Sequence, residues 1–157
     1  MKISVGSDEK TDLTDFVVEE LKRRGHPITL SGPLKGEATG WPDVGQKIGM
    51  EGSSGRADQR IVFCWTGTGV TIATNKVPGV RAALCWDAET AKGARMWDDA
   101  NVLALSLRST STAVAKEILD AWFSSTAIKT GADAELIQRA KKLDSKYLIA
   151  EQARKTA

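Results

Sequence analysis

Two hydrophobic periods take turns along this chain. Short apolar runs with strand character lie at Lys2–Gly6, Pro27–Leu30, Ile61–Cys64, Val80–Leu84 and Asn101–Leu105. The run at Ile61–Cys64 is apolar throughout and rich in β-branched residues, as expected of a strand buried on both faces. Between the runs, apolar residues recur at helical spacing. Leu13, Phe16, Val17 and Leu21 share one face of a helix over Asp12–Arg24, and Gly25 supplies its stop. A second helix opens at Trp41-Pro42-Asp43 and runs to about Met50, with Pro42 in its first turn. Further helices are predicted over Val70–Lys76, Ala88–Met96 and Thr112–Phe123, the last with Val114, Ile118 and Trp122 on one stripe. A long final helix covers Ala134–Ala153, with Leu136, Ile137, Ala140, Leu143 and Tyr147 at helical spacing. The stretches 31–40, 52–55 and 124–133 are predicted as loops.

Strand and helix alternate five times, which calls for an α/β fold: a five-stranded parallel sheet with helices on both faces and a long C-terminal helix. Ligands of such sheets bind beyond the carboxyl ends of the strands. Asp8, Cys64, Asp87 and Arg108 all fall near such ends. No internal repeat or domain boundary interrupts the pattern. The chain is therefore expected to be a single domain over 1–157, with a core over 1–123. A helical extension over 133–155 is expected to pack on a partner subunit.

Composition narrows the function classes. A length of 157 residues suits one domain with a real core. The net charge of +2 gives no case for nucleic acid or a membrane surface as partner. No apolar run approaches the ~18 residues that a membrane span needs. The N-terminus enters a strand without a signal-peptide pattern, so the cytoplasm is the expected location. The two cysteines, Cys64 and Cys85, form no C-x-x-C pair, and His26 is the one histidine. Neither a zinc site nor a structural disulfide is expected, and no cofactor is implied. His26 reads as an exposed loop residue.

The chemistry concentrates in Arg60–Lys76, R-I-V-F-C-W-T-G-T-G-V-T-I-A-T-N-K. Strand, glycine turn and helix in succession aim several backbone N–H groups at one point. Cys64 stands at the strand end facing that point. A thiolate beside such a nest is equipped to act as a base or a nucleophile. Cys85 at its own strand end reads as a core residue, and so does Trp122. Asp8 doubles as a candidate turn or cap residue. Asp98 and Asp99 can also serve the connection from helix to strand. The run Arg139, Lys141, Lys142 and Lys146 reads as a solvated face.

The runs C-W-T-G-T-G-V-T-I-A-T-N-K, V-P-G-V-R-A-A-L-C and D-D-A-N-V-L-A-L, with G-S-D near the N-terminus and W-P-D at 41–43, resemble the type B ribose 5-phosphate isomerase family, which includes galactose 6-phosphate isomerase subunits. The resemblance covers roughly residues 1–123. It implies a Rossmann-like three-layer sandwich, a homodimer or homotetramer with active sites at the interface, and cofactor-free aldose–ketose isomerisation. By position it implies Cys64 as the catalytic base. Thr66, Gly67, Thr68 and Gly69 match the loop that stabilises the enediolate, and Asp8 the group that handles sugar hydroxyls. Arg108 matches a family arginine. Asn75 and Lys76 belong to the same motif.

The departures from the family pattern are as informative. Glu9 stands where a histidine is usual, and Trp65 where a glycine follows the base. Trp97 replaces the histidine that opens the furanose ring, and Asp98 the asparagine after it. The C-terminal G-G-R-H-x-x-R pattern is replaced by T-G-A-D-A-E-L (130–136), without its arginines. An indole cannot deliver the ring-opening proton, so an open-chain substrate is expected, with a tetrose 4-phosphate as one candidate. Fewer cations and a nearby Glu9 also leave a non-phosphorylated sugar or a sugar-derived keto acid open. Trp65, Trp86 and Trp97 could wall the C–H face of a sugar, and Trp97 could equally anchor a dimer. Two other function classes remain. One is a catalytically silent sugar-binding relative or a subunit of a hetero-oligomer. The other is a nucleotide-binding module, on Gly67-x-Gly69 with Asp87 twenty residues beyond Gly67. Ile72 stands where that fingerprint needs its third glycine.

Overall fold

The computed structural model describes residues 1–156. Ala157, and the side chains of Ser53 and of residues 148–156, lie outside that description. Five strands, β1 (Ile3–Ser7), β2 (Ile28–Ser31), β3 (Gln59–Cys64), β4 (Ala82–Leu84) and β5 (Val102–Ser106), form one parallel sheet in the order β2-β1-β3-β5-β4. Six α-helices connect and follow them: α1 (Asp12–Arg23), α2 (Trp41–Ser53), α3 (Thr68–Thr74), α4 (Ala88–Trp97), α5 (Thr112–Ser124) and α6 (Ala132–Thr156). The α/β alternation predicted from periodicity is the one observed.

Strand alternation sorts the core into two layers. Ile3, Val5, Ile61, Phe63, Leu103 and Leu105 pack with α1, α4 and α5. Val62, Cys64, Val102 and Ala104 face the other way and pack with Val44 and Ile48 of α2 and Val70 of α3. Trp122 is fully buried, and its indole Nε1–H donates to Gln59 Oε1 at 3.1 Å. The sheet is thus covered on both sides, which is why its central strands can be apolar on both faces.

Strand order explains where a ligand can enter. The chain leaves β1 toward β2 on one side, then crosses back to β3 on the other. The gap beyond the carboxyl ends of β1 and β3 is the switch point of the sheet. Asp8 follows β1 there, and Cys64 ends β3.

Several boundaries differ from the periodic reading. The glycine-rich stretch after β2 holds a 3₁₀ turn at Gly32–Lys35, favoured by Pro33 near its start. Helix α2 continues through Gly52 to Ser53, where a loop was expected. Strand β4 begins only at Ala82. Being an edge strand, it has one side without a neighbouring strand, and Asn75 covers it. Asn75 Nδ2 donates to the Ala82 carbonyl at 2.9 Å, and the Ala82 N–H donates back to Asn75 Oδ1 at 2.8 Å. The role of Asn75 is structural.

The long helix α6 is anchored to its own body near its start. Ile137 is buried, Lys141 pairs with Asp99 at 2.6 Å, and Asp144 accepts the Gly79 N–H at 2.8 Å. Asp99 also pairs with Arg81 at 2.9 Å. Lys141 is therefore a docking residue and not part of a solvated face. Leu136, Leu143 and Tyr147, by contrast, are exposed.

Candidate active site

Cys64 is the last residue of β3, and its side chain points to the α2–α3 layer. The thiol is buried, and the Val70 N–H donates to Sγ at 3.5 Å. The turn beyond it is held from beneath by the segment after β5. The Cys64 carbonyl accepts the N–H groups of Gly67 and Leu107, both at 3.1 Å. The Trp65 carbonyl accepts the Arg108 N–H at 2.9 Å and the Ser106 hydroxyl at 3.0 Å. These bonds fix the path of the turn without using its outward amides. Among the described residues, the N–H groups of Thr66, Thr68 and Gly69 have no protein acceptor.

Glycine is required at the bend. Gly67 has φ +76°, and a Cβ there would lie 2.5 Å from Leu84 Cδ1 and 3.2 Å from the Leu105 carbonyl carbon. Gly67 is also the N-cap residue of α3, and it makes no side-chain cap. The hydroxyls of Thr66 and Thr68 meet at 2.7 Å on the outer side of the turn.

Asp8 faces this turn across the switch point. Its Oδ1 is buried and has no hydrogen-bond partner among the described residues. Burial raises its carboxyl above the ordinary aspartate range, and the neighbouring Glu9 charge adds to the effect. Asp8, Cys64, Trp65, Thr66, Thr68 and Gly69 line one cavity of ≈ 250 Å³, together with Trp41.

The other candidates lie elsewhere in the isolated chain. Glu9 is exposed, and its N–H donates to Ser7 Oγ at 3.2 Å. Trp97 is exposed and lies back on its own helix, where a Cβ on Gly93 would come within 2.7 Å of its ring. Asp98 is the C-cap residue of α4, and partial burial raises its carboxyl. Arg108 is exposed at the end of β5 and makes no ion pair among the described residues. Asp87 caps α4: its Oδ1 accepts the Thr90 N–H at 2.7 Å. Trp41 was not expected in the cavity. Its signals in the sequence are an aromatic residue directly before the proline that opens α2 and its place in the W-P-D run at 41–43. Ser106, which holds the Trp65 carbonyl, gave no signal at all.

A sequence model described as "Ribose/Galactose Isomerase" matches residues 3–142. This chain belongs to the ribose/galactose isomerase family. It is similar to the galactose-6-phosphate isomerase subunit LacB of Clostridium acetobutylicum, with 33% identity covering 88% of this chain and 80% of the relative. It is also similar to a D-erythrulose-4-phosphate isomerase of Pectobacterium atrosepticum, with 36% identity over 78% of this chain and 82% of that one. Among solved structures, ribose-5-phosphate isomerase B of Clostridium thermocellum superposes with a TM-score of 0.85 and 35% identity, covering 94% of this chain and 99% of that one. The resemblance read from the motifs is thereby established at the level of family and fold, and the chain is an enzyme of the isomerase class. No helix among the described residues is long and apolar enough to cross a membrane.

Proposed function

We propose that this isomerase interconverts an aldose and a ketose without a cofactor, through an enediolate, with Cys64 as the base and an open-chain sugar phosphate as substrate. The observation that carries the reading is the shared cavity. The Cys64 thiol, the turn over Thr66–Gly69 and the orphaned Asp8 carboxyl border one space.

The chemistry follows from that arrangement. Cys64, as thiolate, removes the proton from the carbon next to the carbonyl. The electron pair moves onto the carbonyl oxygen and gives the enediolate. The amides of Thr68 and Gly69 and the Thr66 hydroxyl meet that charge; such preorganised donors contribute about 10²–10³ in rate each. Asp8 carries a proton between the two adjacent oxygens. A carboxyl raised toward the operating pH is better suited to that exchange than an ordinary aspartate. Cys64 then returns its proton to the neighbouring carbon. Arg108 is the cation at the strand ends with which a phosphate can pair.

Trp97 supports the open-chain substrate, because an indole N–H is far too weak an acid to deliver the proton for ring opening, as an imidazolium would. The relative named for D-erythrulose 4-phosphate supports a four-carbon 4-phosphate, whose O4 cannot close a furanose ring. The exposed Trp65, Trp86 and Trp97 support a second copy of the chain completing the site as a homodimer. The nucleotide-binding reading loses its ribose partner, because Asp87 caps α4 and Ile72 stands exposed on α3.

Proton NMR in D₂O tests the proposal with a panel of tetrose, pentose and hexose phosphates, free sugars and keto-uronates. Deuterium is expected to enter the carbon next to the carbonyl of a tetrose 4-phosphate and to stop entering with Cys64→Ala. Exchange that survives in Cys64→Ala would remove the cysteine from its role. No exchange with any compound, together with a second homologous chain in the purified material, would favour a silent subunit instead.

A further inference from the structure

Trp41 lies between two cavities. Its indole rests flat on the turn after β3: a Cβ on Gly69 would sit 3.1 Å from Trp41 Cδ2 and 3.3 Å from Cε2 and Cε3. On one side it borders the ≈ 250 Å³ cavity that holds Asp8 and Cys64. On the other it borders a ≈ 390 Å³ groove between α2 and α3, lined by Pro42, Gln46, Ile72 and Ala73. Among the described residues, Trp41 is the one that lines both.

We infer that Trp41 is the specificity-determining residue of this isomerase: its indole is the partition that limits the substrate to a four-carbon phosphate and turns away a six-carbon one. This rests on the isomerase reading of the Cys64 cavity. Trp41 lines both the cavity and the groove, so a chain that outgrows the cavity on that side meets the indole before it reaches the groove. The indole is 42% exposed and rests on Gly69 from its place in the first turn of α2. Without the ring, the two spaces join. Lys76, in the lining of the groove and without an ion pair among the described residues, then offers a cation to the phosphate of a longer substrate.

Calorimetric titration with phosphorylated aldonohydroxamates of three and five carbons tests the inference, because the hydroxamate nitrogen takes the place of C1 and the two compounds thus imitate the enediolates of a four-carbon and a six-carbon sugar. The wild-type protein is expected to bind the three-carbon compound at least about tenfold more tightly than the five-carbon one. In Trp41→Ala the five-carbon compound is expected to gain about tenfold and the preference to vanish. Trp41→Phe, which keeps a ring over Gly69, is expected to retain the wild-type order. Adding Ala73→Leu to Trp41→Ala is expected to refill the groove and restore part of the preference. Trp41→Leu runs in parallel, with a thermal melt of each variant, so that one unfolded variant does not decide the matter. An unchanged ratio of affinities in folded Trp41→Ala or Trp41→Leu overturns the role of Trp41 and leaves the isomerase reading standing. Wild-type protein that binds neither hydroxamate overturns both.

Discussion

Cys64 and Cys85 occupy equivalent places in two neighbouring strand-to-helix units and have opposite surroundings. Each thiol sits at or just beyond the carboxyl end of a parallel strand, three or four residues before a helix begins. At β4 the helix is closed by a carboxylate: Asp87 caps α4 and takes the Thr90 N–H. Burial pushes the Cys85 thiol up to about 12, with the charges of Asp87 and Asp98 adding to it. At β3 the cap residue is Gly67, which has no side chain to offer, so the amides of the turn stay open toward the cavity. One unit satisfies its own donors and buries an inert thiol. The other leaves donors unsatisfied beside a thiol that borders a cavity. What distinguishes a candidate catalytic end from a structural one is which residue caps the helix.

The most severe way to break this comparison is to exchange the thiols in turn. Cys64→Ala is expected to lower deuterium exchange by about 10²–10⁴-fold, the usual contribution of a positioned base, with folding intact. Cys85→Ala is expected to retain exchange and to lose about 1 kcal/mol of stability in a denaturant titration, as small core truncations do. Equal loss of activity in the two variants would erase the distinction. Next in size is Gly67→Ala. The left-handed backbone and the close approach of Leu84 and β5 make it strained, at a cost of about 1–3 kcal/mol. The displaced turn is expected to lower exchange by about 10²-fold, measured alongside a thermal melt.

Alkylation sharpens the contrast without any mutation. Iodoacetamide between pH 7 and 9, followed by peptide mass spectrometry, is expected to modify Cys64 and spare Cys85. Cys85 stays a protonated thiol across that range because its value lies near 12. Equal labelling would refute the assignment. The smallest effect is expected from Asp87→Ala, which leaves exchange unchanged and lowers Tm by a few degrees at neutral pH. Bonds from the Thr90 N–H and hydroxyl hold the Asp87 carboxyl below its ordinary value. The stabilisation is therefore present above the unfolded value of about 3.9 and disappears as pH falls through the lowered one. The Tm difference between wild type and variant is expected to close in acid.

Much of this was legible in the sequence, and for a physical reason. Buried strands must be apolar on both faces, and amphipathic helices must repeat near 3.6, so the alternation could be read off Ile61–Cys64 and Leu13–Leu21 directly. Cys64, Thr66, Thr68, Gly69 and Asp8 meet because strand order brings the ends of β1 and β3 together; their strand-end positions and the resemblance to the isomerase family together nominated them. Trp41 was not legible as a site residue. Its place beside Gly69 depends on how α2 packs against α3, and no local period encodes that. Lys141 was misread for a related cause: a lysine in a basic run looks solvated until its partner, Asp99, arrives from a distant loop.

The paired hydrogen bonds of Asn75 with Ala82 have a consequence beyond the single chain. A sheet that ends in an unprotected strand is a template on which further strands can add, and this is a route to fibrous aggregates. Here a side-chain amide imitates the next peptide group and fills the vacant place at Ala82. Asn75 thus occupies, at Ala82, the place where an added strand would have to bond to the sheet's shortest strand.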